Sequence, residues 1–346
     1  MTEPIEPQGI GEKMLHDLEI RELKEKAREA NERYKHTLSL LKDAKDQLDS
    51  VLQIKDKLAG NSPKHIAVEA SGESESTAVL VASDWHLEER VDAKTVDGIN
   101  RYNPKIAEQR AVKFFQNGLS MVVMCRSRSK IDTLVLGVLG DMITGYIHEE
   151  LAESNYLSPT EAILKAHSII EGGIRYLLKE GKFKRIIVPC LMGNHGRTTK
   201  KMRVSTATKN SYEWLLYQFL AKAFADEERV QFRVAEGYFV FVDVYKTKLR
   251  FHHGDDVRYE GGVGGLTIPL NKAIAQWNKT KRVDVDVLGH WHTRINSRDF
   301  VVNGSLIGYT PFAIRIKASY EPPSQSFFLV HPEKGKTVEV PIFVGG

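Results

Sequence analysis

At 346 residues, 42% hydrophobic and 27% charged, the chain has an ordinary globular composition and is long enough for one large domain with an appendage. A net charge of +4 excludes a polybasic nucleic-acid coat, and no apolar run of about 18 residues marks a membrane span. Cys125 and Cys190 lie in apolar stretches without partners at zinc-finger spacing, so they read as two buried reduced thiols, and with no signal-peptide pattern the default location is cytoplasmic.

Residues 12–58 read as one long helix, rich in Glu, Lys, Ala and Leu, with no Pro or Gly between Lys13 and Ala59. A heptad fits from Ile20 onward. One core position takes Ile20, Ala27, Tyr34, Leu41, Leu48 and Lys55, and the other takes Leu23, Ala30, Thr37, Ala44, Val51 and Leu58. So narrow a stripe must be covered, and a coiled coil formed through residues 20–58, with a second copy or a partner protein, is the expectation; a helix folded back on its own body is the alternative. Residues 61–76 are small and polar and read as a linker. The chain therefore divides into a helical segment (1–60), a linker (61–76) and a body (77–346).

The body opens with alternating strands and helices. Strands are expected at Ala78–Ser83, Thr133–Leu139 and Arg185–Leu191, and helices at Lys105–Arg126, Pro159–Lys179 and Val204–Ala225. From Val230 the texture turns to strands: Phe239–Tyr245, Lys248–His252, Val283–Leu288, Ile295–Val302, Ala313–Lys317 and Phe327–His331, interrupted by a helix at Ile268–Asn278. A βαβ half followed by a strand-rich half suggests two facing sheets with helices outside, an α/β fold.

Five polar motifs stand at the ends of apolar runs: Asp84-Trp85-His86, Gly140-Asp141, Gly193-Asn194-His195, His253-Gly254 and Gly289-His290-Trp291-His292. Ligands in open α/β sheets bind beyond the carboxyl ends of strands. Asp84 and His86 are two apart, so an extended chain would point both the same way; His290 and His292 repeat the spacing. Gly140, Gly193 and Gly289 each precede a candidate ligand, where the backbone must turn sharply. Carboxylate, amide and imidazole donors without thiolate exclude a structural zinc cage and favour manganese, iron, zinc or a similar ion.

The ordered series resembles that of the calcineurin-like metallophosphoesterases, over roughly residues 77–310. The resemblance implies a four-layer α-β-β-α sandwich of two mixed sheets. It also implies two divalent ions, manganese first, with iron, zinc or magnesium as alternatives. Carried over, Asp84, His86 and His292 would hold one ion, Asn194, His253 and His290 the other, and Asp141 would bridge them. His195 would contact the phosphate or protonate the leaving group, and a hydroxide shared by the metals would attack phosphorus in line. The family pattern puts the ligand directly before Gly, which assigns His253 and leaves His252 a structural role.

Two departures matter. Many relatives carry Asp or Glu after the motif His, whereas Gly196 follows here and then Arg197. Arg197 is a candidate phosphate clamp, since a guanidinium matches phosphate oxygens bidentately, and Asp255 or Asp256 is a candidate for the missing carboxylate. Thr144 replaces the usual Asp or Asn trailing the second motif. Arg197, Lys200, Lys201 and Arg203 form a basic loop suited to flanking phosphates. Arg101, Tyr102, Asn103, Tyr146 and His148 interleave aromatics with polar and charged groups and could stack on bases or pack loops. Asn303–Phe312 is a candidate substrate-side loop.

Residues 1–60 carry 11 basic and 13 acidic side chains, leaving the remainder at about +6, which suits an anionic substrate. The first expectation is a two-metal phosphodiesterase acting on nucleic acid, in the manner of the double-strand-break repair nucleases. The alternatives are a phosphomonoesterase for a protein or small molecule, and a catalytically idle coiled-coil scaffold.

Overall fold

The computed structural model describes residues 23–29, 31–32, 35, 75–258 and 265–345. The described residues of the N-terminal unit are helical and exposed. Most of the heptad reading, and with it the coiled coil, lies outside the described residues. So does most of the linker.

Among the described residues of the body, eleven strands form two mixed sheets. The first comprises β1 (Thr77–Ala82), β2 (Thr133–Val138), β3 (Arg185–Cys190), β4 (Val230–Val234), β10 (Ser324–His331) and β11 (Gly335–Phe343), in the order β11-β10-β1-β2-β3-β4. β1 through β4 pair in parallel, while β10 and β11 add antiparallel at one edge. The second comprises β5 (Val240–Val244), β6 (Thr247–Phe251), β7 (Val285–Leu288), β8 (Ile295–Asn296) and β9 (Phe300–Val302), in the order β5-β6-β7-β9-β8.

The period-2 alternation of side chains divides the interior into three layers. Ala78, Leu80 and Ala82 of β1 pack toward α1 (Pro104–Cys125), α3 (Pro159–Gly181) and α4 (Tyr212–Ala223). Val79 and Val81 of the same strand face the second sheet and meet Val242, Leu249, Val287 and Val301. On the far side, Leu288, Phe300 and Val302 pack with Leu270 and Ile274 of α5 (Thr267–Thr280). The result is the expected four-layer α-β-β-α sandwich.

Helix starts follow their local signals. Asn103 Oδ1 accepts from the Lys105 and Ile106 amides at 3.0 Å each, with Pro104 opening α1. Ser158 and Glu161 form a capping box ahead of α3.

Several expectations need correction. The helix expected over Val204–Ala225 begins only at Tyr212, because Ser211 caps it by accepting from the Glu213 amide at 3.2 Å; residues 204–207 turn instead. Ile295–Val302 is not one strand but the hairpin β8–β9, closed by Ser297 N–H donating to Phe300 O at 3.0 Å. Ala313–Lys317 is not a strand: Pro311–Arg315 is a short helix, α6, capped by Thr310 Oγ1 on the Ala313 amide. Pro311 after a Thr is a helix-start signal that outweighs the branched residues behind it. β4, β11 and the short α2 (Glu149–Ser154) were not among the expected elements. Among the described residues, no helix is long and apolar enough to cross a membrane.

Candidate metal centre

The central strands end level with one another. Ala82 pairs with Val138 and Val138 with Cys190 in the first sheet, and Phe251 pairs with Val287 in the second. The turns leaving β1, β2, β3, β6 and β7 therefore emerge at one edge of the sandwich. They carry Asp84/His86, Asp141, Asn194/His195, His253 and His290/His292.

Two groups of donors meet there. Asp84, His86 and His292 form one, Asp141, His253 and His290 the other, and within each the ligand atoms all lie within 4.8 Å of one another. Asn194 joins the second group, its Oδ1 standing 3.1 Å from His253 Nε2. Asp141 Oδ2 sits between the groups, 3.1 Å from His253 Nε2 and 4.0 Å from His86 Nε2. Asp84, His86, Asp141 and His253 are buried.

The convergence does not come from extended chain, as the two-residue spacing suggested. Asp84 (φ 55°), His86 (φ 46°), Asp141 (φ 50°), His290 (φ 70°) and His292 (φ 52°) all occupy the left-handed region. Non-glycine residues pay roughly 1–2 kcal/mol each for that conformation, and such strain clusters at functional sites. Backbone hydrogen bonds between the turns hold it in place. The Trp85 and His86 amides both donate to Asp141 O, at 2.8 and 3.0 Å, and the Asp84 amide donates to Gly140 O at 3.1 Å. The His290 amide donates to the Asp84 carboxylate at 3.0 Å.

Two glycines let the turns close. A Cβ on Gly193 would lie 2.0 Å from Asp141 Oδ1, and one on Gly289 would lie 2.5 Å from Asp84 Oδ2. Neither position admits a side chain without displacing a carboxylate.

The donor chemistry fits cations. His253 Nδ1 lies 2.8 Å from Leu139 O, which can only accept, so Nδ1 carries the proton. In the neutral ring, Nε2 then presents a lone pair toward Asp141 Oδ2 and Asn194 Oδ1. His86 Nδ1 lies 3.0 Å from Thr144 Oγ1, and its Nε2 faces His292 Nε2 at 3.1 Å. Lone pairs aimed at lone pairs repel unless a cation or a proton sits between them.

The protonation pattern of the metal-free protein follows. Burial lowers the His253 imidazole, but Asp141 and Asp84 outweigh it and hold the group well above its usual range. Burial also opposes His292, whose bond to Asp84 raises it. Burial, then the neighbouring His195, keep His86 well below 6.5; burial and His253 bring His290 down to about 4. Burial works against ionised Asp141 and Asp84 too, yet His253 and His195 pull Asp141 well down and His292 pulls Asp84 down.

His195 borders both groups. Its amide donates to Asp141 Oδ1 at 2.9 Å, and its ring lies 4.8 Å from that of His86. Its Nδ1 is 3.1 Å from Thr144 O. The orienting acceptor is thus a backbone carbonyl, not Asp255 or Asp256; those two carboxylates accept from Tyr238 Oη instead, Asp255 at 3.0 Å and Asp256 at 2.6 Å. Thr144 serves both histidines, through its hydroxyl for His86 and its carbonyl for His195.

Arg197 stands at the rim. Its Nη1 donates to Asn194 O at 2.5 Å and its Nε to Thr199 O at 3.2 Å, so the guanidinium braces the loop that carries Asn194. Lys200, Lys201 and Arg203 are exposed beyond it. Other candidates are structural. Tyr102 is buried with its hydroxyl on Trp85 O, and Asn103 is the cap of α1. Asn303 is buried with its amide on Ser83 Oγ, and Leu306 N–H donates to Asp84 O, so this start of the Asn303–Phe312 stretch supports the Asp84 turn from behind. Tyr146 is exposed, and the His148 ring lies 6.5 Å from that of His195. His252 is fully buried against Trp277 and the Arg250–Asp286 ion pair, a structural setting.

Glu213 was not anticipated. It is buried, and its Oε1 and Oε2 accept from the Met142 and Gly193 amides at 2.6 Å each. One carboxylate thus ties the Asp141 turn to the Asn194 turn. Burial and the charge of Asp141 push it up to about 8. Glu88 does similar work, accepting from the Thr144 and Gly145 amides at 2.8 and 2.7 Å. In sequence both look like ordinary helix-turn or loop acids.

No protein-family model and no curated protein matches the chain. Solved structures do. An archaeal phosphodiesterase is 13% identical, with 76% of this chain and 99% of that one covered and a TM-score of 0.33. Vps29 from Entamoeba histolytica, complexed with zinc, is 13% identical over 77% and 99% of the chains at a TM-score of 0.29. Vps29 from Chaetomium thermophilum is 12% identical over 77% and 98% at 0.31. Likeness this remote transfers no activity.

Proposed function

We propose that the chain is a two-metal phosphoesterase of the calcineurin-like class, acting on phosphodiesters of nucleic acid. One observation carries the reading: two donor groups meet with the buried Asp141 carboxylate between them, at 3.1 Å from one and 4.0 Å from the other. Asp84, His86 and His292 would hold one ion, Asn194, His253 and His290 the second, and Asp141 both. Bound there, two divalent ions would lower the pKa of a water and neutralise charge growing on the phosphoryl oxygens.

Hydrolysis adds water across a P–O bond. The water oxygen bonds to phosphorus, and the departing oxygen leaves with the bonding electrons and takes up a proton. His195 shapes the proton traffic. Its Nδ1–H is committed to Thr144 O, and burial lowers its pKa against the pull of Asp141. The neutral ring therefore offers Nε2 as an acceptor, a geometry for taking a proton rather than giving one. Of the two roles the motif implied, contact with the phosphate and protonation of the leaving group, this geometry favours the contact.

The basic loop beyond Asn194 and the net positive body support an anionic polymer or its fragments as substrate. The test is manganese-dependent cleavage of single- and double-stranded DNA beside bis(p-nitrophenyl) phosphate and p-nitrophenyl phosphate. Diester cleavage that Asp141→Asn abolishes, with unchanged helix content by circular dichroism, is the expected result. Turnover of the monoester alone would overturn the diesterase reading.

A further inference from the structure

Beside the second donor group lies a cavity of about 360 Å³. Asn194 and His253 are among the residues that line it. Tyr238, Phe239 and Trp277 form an aromatic wall, with the Trp277 ring centroid 5.2 Å from Phe239 and 6.5 Å from Tyr238. The wall is rigid: Tyr238 Oη is fixed by Asp255 and Asp256, which follow His253 in the same turn, and its ring packs 5.8 Å from His252. Arg197 and Arg203 line the cavity from the basic loop.

These features select a ligand. The candidate metal ligands Asn194 and His253 and the two arginines in the lining call for an anion. The aromatic wall calls for a flat ring, because every base offers a π-face to stack. The exposed edge of the turn carries carboxylates, acceptors for the N–H groups of a base. The volume sits near the lower end of small-molecule sites, about 300–1,000 Å³, and suits one nucleoside; a duplex does not fit. A phosphoserine or phosphothreonine peptide would bring an anion but no flat ring for the aromatic wall.

We propose that this cavity binds the nucleoside of a single nucleotide unit whose phosphate reaches the metal centre. The bond cut is then one at a chain end or in an isolated nucleotide ester, not one inside a duplex. The cleavage part rests on the phosphoesterase reading; nucleoside binding does not.

Two measurements on the full chain separate these. In calorimetric titrations, thymidine 5′-monophosphate should bind about tenfold or more tightly than ribose 5-phosphate or phenyl phosphate, the gain expected of stacking a base. Trp277→Leu and Gly237→Phe should each erase that advantage. Gly237 lines the cavity, and a Cβ there meets nothing within 4 Å, so this variant places a bulky side chain at the cavity wall without a clash at its root and keeps the test valid if Trp277→Leu fails to fold. In turnover with manganese, the p-nitrophenyl ester of thymidine 5′-monophosphate should exceed methyl p-nitrophenyl phosphate, which has the same leaving group, by a similar factor in kcat/KM, and the ratio should fall in both variants. Equal binding of nucleotide and ribose 5-phosphate, equal binding of phenyl phosphate, or an advantage that survives Gly237→Phe would overturn the proposal. Nucleotide selectivity without turnover of either ester would sustain the cavity assignment and sink the phosphoesterase reading.

Discussion

Gly193→Ala adds one methyl group where the structure leaves no room for it. The new Cβ would sit 2.0 Å from Asp141 Oδ1, 2.3 Å from Asp141 N and 2.7 Å from Asp141 Cγ. An ordinary carbon–oxygen contact is about 3.3 Å, so the carboxylate must retreat by roughly 1.3 Å. Asp141 cannot retreat alone, because Oδ1 also accepts from the His195 amide at 2.9 Å, and Gly193 N–H is tied to Glu213 at 2.6 Å. Overpacking of this kind costs about 1–3 kcal/mol of stability. A displacement near 1 Å in a reacting geometry costs about 100-fold in rate. The variant should therefore fold, lose about 1–3 kcal/mol by urea denaturation, and turn over bis(p-nitrophenyl) phosphate about 100-fold more slowly. Elemental analysis should find less manganese per chain than in wild type. A folded Gly193→Ala protein with full metal content and full activity would refute the proposal that Asp141 would serve as the ligand shared by two ions.

Three further outcomes are expected. His253 and His292, raised above 6.5 by their carboxylate partners against the effect of burial, must lose protons to bind metal, so manganese uptake near pH 7 should release protons, read as a calorimetric enthalpy that varies with the buffer's ionisation enthalpy; a buffer-independent enthalpy would contradict this. By the same sign, the stabilisation those two groups give the metal-free protein is complete below 6.5 and lost as pH rises through their folded values, whereas that of Asp84 and Asp141 is complete above 3.8 and lost as pH falls through their lowered ones. Glu213→Gln turns one acceptor into a donor facing an N–H group, and should cost about 1–3 kcal/mol by urea denaturation together with a drop in kcat; unchanged values for both would remove its bracing role. Arg250→Met strands Asp286, now paired through Arg250 Nε at 2.6 Å and Nη2 at 3.0 Å, and should cost about 3–5 kcal/mol, with part of the loss recovered when Asp286→Leu is added; additive losses would argue against the pairing.

Much of the sandwich was legible because buried strands announce themselves as short apolar runs, and the runs at 78–83, 133–139 and 185–191 match β1, β2 and β3 to within a residue. β4 and β11 were harder. Val230–Val234 and Gly335–Phe343 lie at the two edges of the first sheet and are only partly buried, so their sequences lack the apolar run. The donors were legible as types, since few roles besides ion binding need Asp, Asn and His at consecutive strand ends. Their supports were not. Glu213 is 72 positions from Asp141, and nothing in its spacing says that a side chain at the start of a helix will reach two amides in other turns. Asn303 misled for the converse reason: a polar residue in a loop looks available until the hydrogen-bond partners that bury it are known, whereas Tyr102 packs its loop down, one of the two readings its sequence offered.

The left-handed backbone at the centre explains why spacing alone misjudged the geometry of the residues it singled out. In an extended strand, side chains two apart share a face and lie roughly 7 Å apart. A left-handed turn at Asp84 and again at His86 instead folds the chain back, so that His86 Nε2 meets His292 Nε2 at 3.1 Å from a separate turn. Five such residues carry a combined strain of roughly 5–10 kcal/mol, more than an exposed loop could hold. It persists because the turns restrain one another: the amides of the first motif are spent on the carbonyls of the second, and the amide of His290 on the carboxylate of Asp84. The bracing runs through backbone amides and carbonyls and through the Asp84, Glu88 and Glu213 carboxylates, so the chain itself helps hold the donors together. Binding then has less ordering of the turns to do, and the attraction of the cation is available for displacing the protons that His253 and His292 hold in its place.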